Sequence, residues 1–170
     1  MKDRRALFLK YLQRGLPILL CLFWLGFIFS NSMQNGEASG EQSKEVHKIV
    51  NDVAQSIGIQ KPITEAQIRT SAHFTEFAVL AFLECWVLAA FGMLRKGLPV
   101  WMPAVGFLAV VADCFLMACV DETIQRFSSG RAAEWKDVGV DTLGGVLAVT
   151  CILIAFLTVR LISVRKEKRA

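Results

Sequence analysis

The sequence predicts an all-α fold: a polytopic membrane protein, a four-transmembrane-helix bundle with an amphipathic helix in its first outer loop. Three observations predict it. Apolar residues make up 54% of the 170-residue chain, a high share for a soluble domain. They gather into four blocks, approximately 11–30, 72–94, 100–120 and 138–162, each near the roughly 20 helical residues that cross a bilayer core of about 30 Å. The charges, finally, segregate by segment. A soluble all-α protein is the competing reading, but a water-facing helix needs a polar stripe. The length suits one domain, 1–170.

The first span is preceded by Lys2, Arg4, Arg5, Lys10 and Arg14, with Asp3 the only acid among them. Behind the fourth stand Arg160, Arg165, Lys166, Lys168 and Arg169, against Glu167. Arg95 and Lys96 make the short second connection basic as well. The first and third connections mix both signs, with Glu37, Glu41, Glu45, Asp52 and Glu65 in one and Asp121, Glu122, Glu134 and Asp137 in the other. Lys and Arg of short loops stay on the cytoplasmic side. Both termini are therefore expected inside, with the mixed connections outside. A cleaved signal peptide is disfavoured, because no A-x-A-like site follows the first block. Basic tails beside apolar spans indicate membrane lipids as partners rather than nucleic acid.

After Phe29 the run Ser30-Asn31-Ser32-Met33-Gln34-Asn35-Gly36 is a turn-prone exit from the first span. Val46, Ile49, Val50, Val53 and Ile57 then recur at helical spacing. That pattern predicts an amphipathic helix on the outer surface or capping the bundle, ended by Gly58 and Pro62. Thr64-Glu65-Ala66-Gln67 fits a capping box, so the second membrane helix should begin near Glu65. In the fourth span Gly144, Gly145 and Ala148 permit close helix approach. The cysteines Cys21, Cys85, Cys114, Cys119 and Cys151 are odd in number and form no CxxC. They read as packing residues.

Four acids fall inside the apolar blocks: Glu76, Glu84, Asp113 and Asp141. An acid near a helix centre costs about 2.5–3.5 kcal/mol on insertion scales, so lipid exposure of several would consume much of a marginal stability. Glu76 and Asp141, near the outer ends, can reach the interface. The deeper pair, Glu84 and Asp113, should face the bundle interior, as an interhelical contact or as a proton relay. His73 and Glu76 are neighbours on one helical face, and His73 and Glu84, eleven apart, are nearly in line. At the other outer junction stand Asp121, Glu122, Gln125, Arg126 and Arg131, followed by Asp137 and Asp141, four apart. Such a cluster can hold an anionic headgroup through Arg126 or Arg131 while the acids handle protons or a cation. A solvated rim of helix ends fits the spacing equally well. His73 keeps three readings: an interface residue, an acid/base group or a metal ligand. His-x-x-Glu with Asp/Glu pairs supplies suitable donors, but there is no second Glu-x-x-His of the di-iron type, so cofactors are undetermined. Phosphate loops, nucleotide fingerprints and nucleophile elbows are absent.

Three segments together resemble the VanZ-like family of bacterial membrane proteins. One is Phe29-Ser30-Asn31-Ser32 with Ser39 and Ser43; the second is Ile68-Arg69-Thr70-Ser71-Ala72-His73-Phe74-Thr75-Glu76-Phe77. The third and most specific runs Asp121-Glu122-x-x-Gln125-x-Phe127-x-x-Gly130-Arg131, then Asp137, Asp141 and Gly144. Thr70, Phe77 and Asp141 depart from the commoner Lys, Tyr and Asn of the family pattern. The resemblance implies a cell-envelope protein, since the family's founding type is associated with reduced susceptibility to teicoplanin, a glycopeptide with a lipid tail. Its implied partners are a lipoglycopeptide or a lipid-linked envelope precursor. The residues leave three functions open. The first is a binding protein acting on lipophilic glycopeptides at the outer face. The second is an enzyme on a lipid-linked glycan or phosphate, with His73, Glu76, Asp121 and Glu122 as catalytic candidates. The third is a small proton-linked transporter or assembly subunit using Glu84 and Asp113. Four helices are few for a transporter, so that reading requires an oligomer.

Overall fold

The computed structural model describes residues 2–58, 61–95, 97–99, 101–130 and 134–167, without the side chains of 2, 3, 37, 38, 42 and 167. Five helices follow in order: α1 (Lys2–Ser32), α2 (Gly36–Ser56), α3 (Glu65–Ala90), α4 (Trp101–Phe127) and α5 (Trp135–Glu167). No strand occurs among the described residues. All but α2 are long and apolar enough to cross a membrane.

α3 starts where its capping box dictates. Thr64 stays extended, its Oγ1 accepts from the Gln67 amide at 3.2 Å, and the Thr64 amide donates back to Gln67 Oε1 at 2.9 Å. These bonds satisfy amides that have no partner within the helix. Thr64→Ala is expected to cost about 1 kcal/mol, read as a lowered unfolding midpoint in detergent with the helical circular dichroism otherwise unchanged. The other end of α3 falls at Ala90, short of the apolar block that runs to Leu94. Gly92 takes φ +82°, its amide bonds to the Ala89 carbonyl, and that of Met93 bonds to Leu88. This is a Schellman stop, which needs a residue tolerant of the left-handed conformation.

α3 packs against every other helix, with α5 as its most extensive partner. The small residues of α5 make that approach possible. A Cβ on Gly144 would lie 2.1 Å from the Phe74 carbonyl oxygen, and one on Gly145 would lie 2.8 Å from Cys114 Sγ. Phe77, Leu80, Ala81 and Cys85 of α3 meet Phe107, Val110, Cys114 and Ala118 of α4 in the apolar core, closed by Ile28, Val138 and Val149. Lipid-side residues contrast sharply: Phe23 is 72% exposed and Leu108 69%, a surface suited to acyl chains rather than water. All five cysteines are free thiols, two of them buried in the core.

The amphipathic helix forms as α2 and begins at Gly36, ahead of its first apolar repeat. Ala54 is buried and Val50 half-buried, Val46 lines a cavity beside His73, and Ile49, Val53 and, just past the helix, Ile57 are exposed. The apolar stripe is thus split between the protein and the surroundings, and its exposed part suits a helix lying at a membrane interface. Asn51 fixes its connection to α3: the side chain donates to the Ile63 carbonyl at 3.1 Å and accepts from the Ile63 amide at 2.8 Å. At the opposite end of the bundle Arg14 lies over the Phe91 ring, 5.1 Å from its centroid, and Arg160 donates to the Leu98 carbonyl at 3.0 Å.

A buried polar chamber as the candidate functional site

The buried face of α4 changes character along its length. From Phe107 through Val110, Cys114 and Ala118 it is apolar, and the same stripe then continues as Asp121, Glu122 and Gln125, all buried. The acidic stretch expected in a loop is therefore the last turns of a helix. α4 persists because no helix-breaking residue intervenes before Gly130, at φ +79°. α5 resumes at Trp135 and carries Asp137 and Asp141 on its first turns. The C-terminal turns of α1 and α4 thus meet the N-terminal turns of α3 and α5 at one end of the bundle.

Asp121 is fully buried at the centre. Ser32 Oγ of α1 donates to its Oδ1 at 2.5 Å, and Gln125 Nε2 donates to its Oδ2 at 2.8 Å. Arg69 of α3 reaches Gln125 Oε1 in a long contact of 3.5 Å. From α3, His73 brings Nδ1 to 3.8 Å from Asp141 Oδ1, too far for a direct hydrogen bond. Asp141 is fully buried, and neither of its carboxylate oxygens accepts a hydrogen bond among the described residues. Glu76 accepts from Asn31 Nδ2 at 3.0 Å, while its backbone carbonyl accepts from the Trp24 indole at 2.8 Å. These two bonds tie α1 to α3 beside the chamber.

Glu122 faces the other side. Its Oε2 accepts from the Glu134 amide at 2.8 Å, which caps the start of α5. Together with Arg126, Thr123, Glu134 and Trp135 it lines a groove of about 500 Å³ between α4 and α5. Asp137 lines a second cavity of about 360 Å³ with Arg69, His73 and Lys136. A third, of about 150 Å³ between α1, α2 and α3, is lined by Asn31, Ser43, Arg69, His73 and Glu76. His73 thus borders two cavities at once. Arg131 lies outside the described residues.

The sequence-predicted candidates divide into three groups. His73, Asp121 and Asp141 converge, with Glu76 and Gln125 tied to the same network. Glu122, Arg126 and Asp137 stand at the flanking openings. Glu84 and Asp113 are apart from both, half-buried and paired with each other deeper between α3 and α4. Trp24 and Ser128 escaped the sequence reading, and Asn31, Ser32 and Arg69 were not singled out in it as site residues. Their bonds span 45 or more residues of chain, a separation at which spacing carries no signal.

Four apolar helices closing over buried carboxylates and a histidine define a polytopic membrane protein with a buried polar site at one end of its bundle. The VanZ/LLP1 family model matches residues 17–157, so the chain belongs to the VanZ/LLP1 family. No curated protein and no solved structure matches it.

Proposed function

We propose that this membrane protein acts at the outer face of the cytoplasmic membrane, both termini inside. There its polar chamber engages the headgroup of a lipid-anchored amphiphile and lowers susceptibility to teicoplanin-type lipoglycopeptides. The observation that carries the reading is the convergence of His73, Asp121 and Asp141, on three different helices, beside openings lined by Arg69 and Arg126. Basic groups at the mouth suit an anionic headgroup, and the exposed apolar flanks admit its tail from the bilayer. The charge asymmetry of the termini supports the orientation.

Expression in a susceptible Gram-positive host, with membrane levels matched, tests this. Wild type should raise the inhibitory concentration of teicoplanin several-fold and leave that of vancomycin, which lacks the lipid tail, unchanged. His73→Ala should abolish the protection. Protection that survives His73→Ala and Asp141→Asn would reduce the chamber to a structural element. A second reading is favoured by the His73–Asp141 approach, an acid/base pairing beside a cavity: an enzyme on a lipid-linked glycan or phosphate. Unchanged susceptibility together with an altered pool of lipid-linked precursors would select it, and an unchanged pool would count against it.

A further inference from the structure

Asp141 poses a specific problem. It is fully buried, its carboxylate oxygens accept no hydrogen bond among the described residues, and a second fully buried carboxylate, Asp121, lies beside it. Buried carboxylates ordinarily find donors or a cation. A basic side chain is an ill-suited answer at this spot, because Arg69 directs its guanidinium to Gln125. His73 supplies a nitrogen, and one donor atom from each of His73, Asp121 and Asp141 lies within 4.8 Å of the others.

We infer that His73, Asp121 and Asp141 form a binding site for one first-row divalent transition-metal ion. Ligand bonds of about 2.0–2.2 Å bring such donors to roughly 3–3.5 Å of one another, so the three draw closer around the ion. The ion's two positive charges match the two carboxylates and satisfy the orphaned oxygens of Asp141 together. The surroundings suit ligation. Each oxygen of Asp121 takes one hydrogen bond, from Ser32 or Gln125, which fixes the carboxylate and leaves further lone pairs for an ion. One imidazole nitrogen and two carboxylates, with no thiolate in the set, select a hard or borderline ion such as Mn²⁺ or Zn²⁺ over the soft Cu⁺. Three protein ligands leave coordination positions open, as at reactive rather than structural sites. His73 borders the cavities of about 150 and 360 Å³, so water or an oxyanion reaches those positions. The site does not depend on the lipoglycopeptide reading and would serve the enzymatic one equally.

The test uses the full-length protein in detergent, purified with an affinity tag free of histidine, stripped with chelator and titrated with Mn²⁺ or Zn²⁺. About one ion per chain is expected by mass spectrometric metal analysis. Affinity should fall at least about 10-fold in His73→Gln and in Asp141→Asn, and stay at the wild-type level in Glu84→Gln, which removes an acid outside the cluster. A second readout needs no variant: pulsed electron paramagnetic resonance of the Mn²⁺-loaded wild type should show nitrogen coupling from one imidazole. Failure of the folded wild type to retain an ion, equal affinity in His73→Gln, or a Mn²⁺ spectrum without nitrogen coupling would each overturn the assignment. None of these outcomes bears on antibiotic susceptibility, so the site and the proposed function fail separately.

Discussion

Gly144→Ala is expected to lose about 3 kcal/mol or more of stability and to cause the largest single loss of folded protein in the α3–α5 interface. The added Cβ would lie 2.1 Å from the Phe74 carbonyl oxygen and 3.3 Å from the Ala78 nitrogen. Both are backbone atoms, so no rotamer change relieves the clash and the helices must part. Overpacking against side chains typically costs 1–3 kcal/mol, and a rigid backbone obstacle belongs at the top of that range or beyond. Helix propensity works the other way, since Ala is favoured over Gly by about 1 kcal/mol in a helix interior. Gly139 separates the two effects: it lies on the same helix, and a Cβ there meets nothing within 4 Å. Thermal unfolding in detergent should show Gly139→Ala at or above wild type and Gly144→Ala far below it. Equal midpoints for the two variants would mean that α3 and α5 are not packed as described.

Asp121→Asn is the second large effect, and its origin is the direction of hydrogen bonding rather than size. Asp121 accepts on both oxygens, from Ser32 and from Gln125. An amide in its place offers one acceptor oxygen instead of two, so one of the two bonds is lost as it stands. With that oxygen on Ser32, the new NH₂ faces the NH₂ of Gln125; turning the Gln125 amide instead points its nitrogen toward Arg69, where the oxygen now sits. With the oxygen on Gln125, the new NH₂ faces Ser32 Oγ, whose hydroxyl must give up its donated bond in order to accept. Losing an accepted bond in a buried site costs about 1–3 kcal/mol. The double variant Asp121→Asn/Gln125→Leu removes one of the two competing donors and should recover part of the loss in a denaturation series. No recovery would show that the network is not wired through Gln125.

The four spans were legible because lipid is an unforgiving solvent: a block of about 20 apolar residues has few alternatives to a crossing helix. The start of α3 was equally legible, since a capping box is a local device written in Thr64 and Gln67. Helix ends near the chamber were not. Asp121 to Arg126 reads as a polar connection by hydropathy, yet its acids face inward and their cost is met by Ser32, Gln125 and the Glu134 amide. Tertiary hydrogen bonds of that kind leave no periodicity. Motif spacing did bring His73, Asp121 and Asp141 into view as candidates, but nothing in it separates the converging three from Arg126 or Asp137 at the rim. Nor did it mark Asn51, whose paired bonds to Ile63 set the α2–α3 turn.

The two loops at the chamber end are joined backbone to backbone. The Gly36 amide donates to the Ser129 carbonyl at 2.8 Å, Ser128 Oγ donates to the Ser32 carbonyl at 2.8 Å, and a Cβ on Gly36 would come within 2.5 Å of the Gly130 oxygen. Segments so distant in sequence are therefore sterically coupled: a bulkier residue at 36 demands a shift at 130. The same stitch makes this rim a poor place for an epitope or a reporter, although hydropathy alone would nominate it as an ordinary loop. A tag inserted between residues 33 and 36 enters what is, in effect, the roof of the interior.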